Sequence, residues 1–73
     1  VSNKEAEEVF FDDKKVIYKD VFHSQKEKRF IILGKTQKER LLYLAFTKRN
    51  SKIRIISARD INIKERKYYE KIT

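Results

Sequence analysis

Cysteine and proline are both absent from the 73 residues, and glycine occurs once, at Gly34. Without cysteine, neither a disulfide framework nor a thiolate metal site can supplement the core. With no proline and a single glycine, the chain shows no flexible linker, low-complexity segment or repeat, and residues 1–73 read as one domain. At this size a single hydrophobic core supplies only ~3–5 kcal/mol. No apolar run approaches the ~20 residues needed to cross a bilayer. The opening Val1-Ser2-Asn3-Lys4-Glu5 also lacks the basic-then-apolar pattern of a signal peptide. A cytoplasmic protein with no membrane partner is the expectation.

Charge, by contrast, is plentiful. Asp, Glu, Lys and Arg make up 41% of the chain, and the formal net charge is +8. Residues 1–34 hold seven basic and seven acidic groups, whereas residues 35–73 hold twelve basic against four acidic. The second half therefore carries the whole excess. Such an asymmetry suits a polyanionic partner, whether nucleic acid, an acidic protein or a membrane surface. The plainer alternative is a basic surface that only keeps the chain soluble.

Ser2 and Glu5 have the spacing of a capping box, and Ala6, Val9 and Phe10 fall on one face, so a helix is predicted over roughly residues 3–10, ended by Asp12-Asp13. Residues 16–22 are rich in β-branched and aromatic types and predict a strand, with a polar turn over 23–27. Arg29 to Leu33 reads as a second strand, Gly34 to Glu39 as a loop and Arg40 to Thr47 as a third strand. Leu41 to Phe46 is apolar on both faces, which places this strand centrally under cover on both sides. Lys48-Arg49-Asn50-Ser51-Lys52 reads as a polar connection. In the fourth strand, Ile53–Ala58, Ile53 and Ile55 alternate with Lys52 and Arg54, implying one wet face.

Asn62 and Glu65 repeat the capping-box spacing and open a final helix. Ile61, Glu65, Tyr68, Tyr69 and Ile72 share one side of it, and Lys64, Lys67 and Lys71 form a basic stripe. Tyr68 and Tyr69 read as packing residues rather than base-stacking platforms, and the lysines as a solvated face. The connections are too short for parallel crossovers, so three or four strands form an antiparallel meander. The fold class is α+β, an antiparallel sheet of about four strands with an N-terminal and a C-terminal helix. Arg40, Arg49, Arg54, Arg59 and Arg66 are spread through its second half, as in a surface that grips phosphate.

In order, VSNKEAEEVFFDD (1–13), HSQKEKRFIILG (23–34) and RLLYLAFTKRNSKIRIISARDINIKERKYYE (40–70) resemble the BrnT-type ribonuclease toxins of bacterial toxin–antitoxin pairs. The most specific part is Arg54-Ile55-Ile56-Ser57-Ala58-Arg59 followed by Glu65 and Tyr69-Glu70; His23-Ser24 with Glu27 and Arg29 is the second signature. The resemblance implies a RelE-like fold and an endoribonuclease. It also implies a cognate antitoxin carrying a ribbon-helix-helix region, and operator DNA bound only through the toxin–antitoxin complex. Members of the family usually begin with a Phe-x-Trp-Asp strand and a helix ending in Lys-His-Gly, and this chain starts after the corresponding point. Either a truncated or shortened member or a gene start lying upstream is expected, and the missing strand would leave a sheet edge unpaired, a liability for aggregation or an invitation to form a homodimer.

RNA cleavage without a metal needs a base for the 2′-hydroxyl, an acid for the leaving oxygen and cations for the phosphate. Arg29, Arg54 and Arg59 are candidates for the cations, since guanidinium forks match phosphate oxygens. Arg59 or Arg54 could equally pair with Glu65 or Glu70 and tie the last helix to the sheet. His23 is the sole histidine and the candidate acid or base, with Glu27 or Glu65 as its carboxylate partner; its neighbours suit an exposed turn equally well. Arg40, Arg49, Lys52, Lys64 and Lys67 are candidates for further RNA contact. No metal site or cofactor is expected, because one histidine and no cysteine make no convincing ligand set. Two non-catalytic alternatives stand beside the enzyme: a basic nucleic-acid-binding domain, and a protein-interaction domain that acts only with its partner.

Overall fold

The computed structural model describes residues 2–20 and 28–72, in the order α1 (Asn3–Phe10), β1 (Val16–Lys19), β2 (Arg29–Lys35), β3 (Leu41–Arg49), β4 (Lys52–Asp60) and α2 (Ile63–Ile72). Helix α1 starts where the capping box requires. Ser2 Oγ accepts the Glu5 N–H and Glu5 Oε1 accepts the Ser2 N–H, both at 3.1 Å. Helix α2 repeats the device, with Asn62 Oδ1 accepting the Glu65 N–H at 2.8 Å and Glu65 Oε1 accepting the Asn62 N–H at 3.0 Å. Among the described residues no helix is long and apolar enough to cross a membrane.

The strands form one four-stranded sheet in the order β1-β2-β3-β4, antiparallel throughout, with a helix at each end of the chain order. The α+β architecture is therefore the expected one. Strand β3 is central and buried on both faces. Leu42, Leu44 and Phe46 join Ile32 under Ala6 and Val9 of α1, with Phe10 and Phe30 against the Phe46 ring. On the other face Ala45 joins Val16, Ile31 and Leu33 under Tyr69 of α2.

Four local expectations are corrected. First, Gly34 begins no loop: β2 continues through Gly34 and Lys35, which pair with Leu42 and Leu41. A Cβ at Gly34 would sit 2.7 Å from Val9 Cγ1 and 3.1 Å from the Val9 carbonyl, so the missing side chain is what lets α1 lie this close to the sheet here. Second, the polar connection shrinks to Asn50 and Ser51, because Arg49 already pairs with Lys52. Both turn residues have positive φ (49° and 69°), the geometry that matches a tight turn to the twist of the strands. Third, β1 ends at Lys19, although the Asp20 N–H still donates to the Arg29 carbonyl at 2.8 Å. The rest of the predicted strand, and the turn over 23–27, lie outside the described residues. Fourth, β4 is wet on both faces rather than one. Ile53 and Ile55 are 51% and 39% exposed, because they line an open hollow beside Ala6 and Phe10 of α1 instead of being covered by the helix.

Strand β4 also carries a bulge. Ala45 pairs with Ser57 and Phe46 with Ile55, leaving Ile56 as an extra residue.

Candidate nucleic-acid interface

Side chains alternate across a strand, so the ladder shows which residues share the face that α2 covers. One row across that face reads Arg29 on β2, Thr47 on β3 and Arg54 on β4. The next row toward the hairpin tip is Arg49 and Lys52. In the other direction come Tyr18, Ile31, Ala45 and Ser57, then Val16, Leu33, Tyr43 and Arg59. Neighbouring strands lie ~4.8 Å apart, which puts the Arg29 and Arg54 backbones ~10 Å apart and lets both guanidiniums converge on one phosphate. Among the described residues, the small Thr47 stands between them in the row, with Ala45 and Ser57 in the next.

The bulge is what assembles this face. Lys52 and Arg54 are even-numbered and Arg59 is odd, so unbroken alternation would place them on opposite sides of the sheet. The extra residue at Ile56 resets the alternation and brings all three to the α2 side.

Arg59 is held in place. Its Nη1 and Nη2 donate to Glu65 Oε1 and Oε2 at 2.9 and 2.7 Å, Nη1 also donates to the Asp60 carbonyl, and the guanidinium lies 3.9 Å above the Tyr43 ring. The pairing with Glu65 weighed for Arg59 is thus present. Burial pushes the Glu65 carboxyl up, but the hydrogen bonds from Arg59 and the Asn62 N–H outweigh it and hold the group below its usual value. Glu65 is accordingly a fixed anion. Hydrogen bonding to it raises Arg59 in turn.

Arg29 has Asp20 as its acidic neighbour, with Nε 3.6 Å from Oδ2. His23 and Glu27 lie outside the described residues; Asp20 and Arg29, which flank their segment, are bonded to each other through the backbone. Arg49 and Lys52 extend the arginine row, and Lys64 stands on α2 beside Glu65. Lys67 is exposed on the same helix. Arg40 is apart from the group. Its Nε donates to Asp60 Oδ1 at 2.7 Å and its Nη1 to Glu5 Oε2 at 3.0 Å, clamping α1 to the β2–β3 turn and the end of β4.

Residue types alone did not single out Thr47, Ser57, Tyr43 or Asp20, because an ordinary strand or turn accommodates each of them. Only the register shows that they share a surface. The two adjacent tyrosines of α2 also divide. Tyr69 is 4% exposed and donates its hydroxyl to Asp12 Oδ2 at 2.7 Å, whereas Tyr68 is 45% exposed and meets the Tyr18 ring edge-on at 5.7 Å.

Compared with the curated proteins, the chain finds no match. A family model described as "Ribonuclease toxin, BrnT, of type II toxin-antitoxin system" matches residues 1–65, a span that takes in the sheet, the arginine row and Glu65. The chain belongs to the BrnT family of type II toxin–antitoxin ribonuclease toxins.

Proposed function

We propose that this chain is the toxin of such a pair and cuts RNA internally, using the neighbouring 2′-hydroxyl as nucleophile and no metal ion. The observation that carries the reading is the row Arg29–Thr47–Arg54 with Arg59 on the same face, beside the end of α2. Cations at that spacing can hold a phosphate on both sides and offset the charge that builds on its oxygens in the transition state.

In this mechanism the 2′-hydroxyl loses its proton to a base, the 2′-oxygen attacks phosphorus, the bond to the 5′-oxygen breaks and an acid protonates that oxygen. The products end in a 2′,3′-cyclic phosphate and a 5′-hydroxyl. His23 is the proposed base or acid, with Glu27 as its carboxylate partner. Glu65 acts as a positioning residue, because a carboxylate held below its usual pKa by Arg59 is a poor proton acceptor. Arg49, Lys52 and Lys64 guide the flanking phosphates. Arg40, with its guanidinium committed to Asp60 and Glu5, is left out of the contact set.

The proposal extends to the partner: a ribbon-helix-helix antitoxin neutralises the chain, and the complex binds operator DNA through the antitoxin. The test is incubation of the purified chain with a defined single-stranded RNA in EDTA, beside an Arg54→Ala control. Fragments ending in 2′,3′-cyclic phosphate that vanish with the variant are the expected result. Intact RNA from a demonstrably folded sample would overturn the enzyme reading. If the RNA were still retarded, with an affinity that falls steeply as salt rises, a non-catalytic binding domain would take its place.

A further inference from the structure

We propose that the hollow between β1 and α2 is a nucleobase subsite, in which one RNA base stacks on Tyr68 while its phosphate reaches the arginine row. This rests on RNA as the substrate. The hollow measures ≈ 330 Å³ and is lined by Tyr18, Leu33, Lys64, Glu65 and Tyr68. That volume is at the lower end of the ~300–1,000 Å³ typical of small-molecule sites.

Three observations point to a flat, weakly polar, anionic ligand. The Tyr18 and Tyr68 rings meet at 70°, so they form a corner rather than a closed stack, and Tyr68 stays half exposed although its neighbour Tyr69 is fully packed. An aromatic face kept open at the mouth of an apolar hollow is a stacking platform available to any base. Next, the hollow borders the phosphate grip, because Glu65 lines it with its carboxylate charge paired to the Arg59 guanidinium through both oxygens. Finally, Lys64 stands at the same wall and supplies a cation to the sugar–phosphate of whatever base enters. Tyr18 shares its row with Ser57, one step from Arg29–Thr47–Arg54. Same-face steps along a strand are ~6.8 Å, about the reach of one nucleotide. A membrane or an acidic helix would use the cations but has no need of the aromatic corner.

The test compares ligands that differ only in the base. The whole chain is titrated with AMP, GMP, CMP, UMP and ribose 5-phosphate, following backbone and tyrosine ring signals by NMR. Nucleotides should shift Leu33, Lys64 and Tyr68 and bind roughly tenfold more tightly than ribose 5-phosphate, which should shift only the arginine face. Tyr68→Leu, which keeps an apolar side chain against Tyr18, should reduce nucleotide affinity to that of ribose 5-phosphate, and Tyr68→Phe should restore it. Equal affinities for nucleotide and ribose 5-phosphate, or nucleotide binding that survives Tyr68→Leu, would overturn the subsite. RNA cleavage with no base-dependent binding sinks this inference alone, whereas base-dependent binding without cleavage sinks the enzyme reading and leaves the subsite standing.

Discussion

On the α1 side of the sheet Ile32, Leu42, Leu44 and Phe46 disappear beneath Ala6, Val9 and Phe10, and the glycine at position 34 lets the helix come close. On the α2 side Tyr69 closes over Val16, Ile31, Leu33 and Ala45, and beyond it lies a row whose largest members are arginines. The same four strands thus present a side built from burial and a side built from charge held in position. Apolar burial supplies stability per unit of area removed from water, whereas exposed cations supply little stability and are open to a ligand. Both sides contribute to the marginal core of so short a chain, the second only beneath Tyr69. Beyond Tyr69, on the arginine row, substitutions can alter chemistry without unfolding the protein.

Four substitutions test that division. Leu44→Ala, at a site with no exposed surface, should cost about 2–5 kcal/mol in chemical denaturation and leave the chain mostly unfolded at 37 °C. A smaller loss would mean that the α1 side contributes little to the core. Arg54→Ala should lower RNA cleavage about 10²-fold while thermal melting moves by no more than about 0.5 kcal/mol in stability. A large melting shift would show that the arginine row is part of the core.

Asp12 probes the seam between the sides, since its carboxylate accepts from the Tyr69 hydroxyl and from the Lys35 and Lys14 N–H groups. Burial pushes its pKa up, but those hydrogen bonds hold it below the ordinary 3.8. A group whose pKa is depressed by folding contributes stability that is present above the unfolded value and is lost as pH falls through the folded one. Near-ultraviolet dichroism of the tyrosines should therefore stay constant from neutrality to about pH 4 and fade below it. Asp12→Asn should cost about 1 kcal/mol at pH 7 and flatten that acid limb. The smallest effect is expected at Ile53→Ser, within about 0.5 kcal/mol, because the side chain is already half in water. A cost of 2 kcal/mol or more, on the scale of a core truncation, would place Ile53 among the load carried by α1.

Both helix starts were readable from residue types, because Ser2 with Glu5 and Asn62 with Glu65 each satisfy two N–H groups within four positions. The double burial of β3 was readable as well, since only a strand covered on both faces can accommodate Leu42, Leu44, Ala45 and Phe46 together. What escaped notice depends on distant partners. Gly34 looks like a loop residue until Val9 is seen above it. The wetness of β4 follows from the open hollow left between it and α1, which no property of Ile53 or Ile55 encodes. The grouping of Lys52 and Arg54 with Arg59 depends on one unpaired residue, Ile56, and a run such as Arg-Ile-Ile-Ser-Ala-Arg gives no local sign of where its alternation breaks. For the same reason the arginines could be proposed from their chemistry, but their shared row with Thr47 could not.

The Tyr69–Asp12 hydrogen bond spans 57 positions of the chain, whereas β3 and β4 meet across a turn of two. Short hairpins close in ~1–10 μs, and the entropy of closing a loop rises with its length. Assembly should therefore run from the hairpin outward, with α2 docking only after β1, β2 and the Asp12 turn have given Tyr69 somewhere to bind. Arg59, Glu65 and Tyr68 reach their working positions at that last step. In refolding, strand signals should recover before the tyrosine signals of α2, and the grip on RNA should return with the latter.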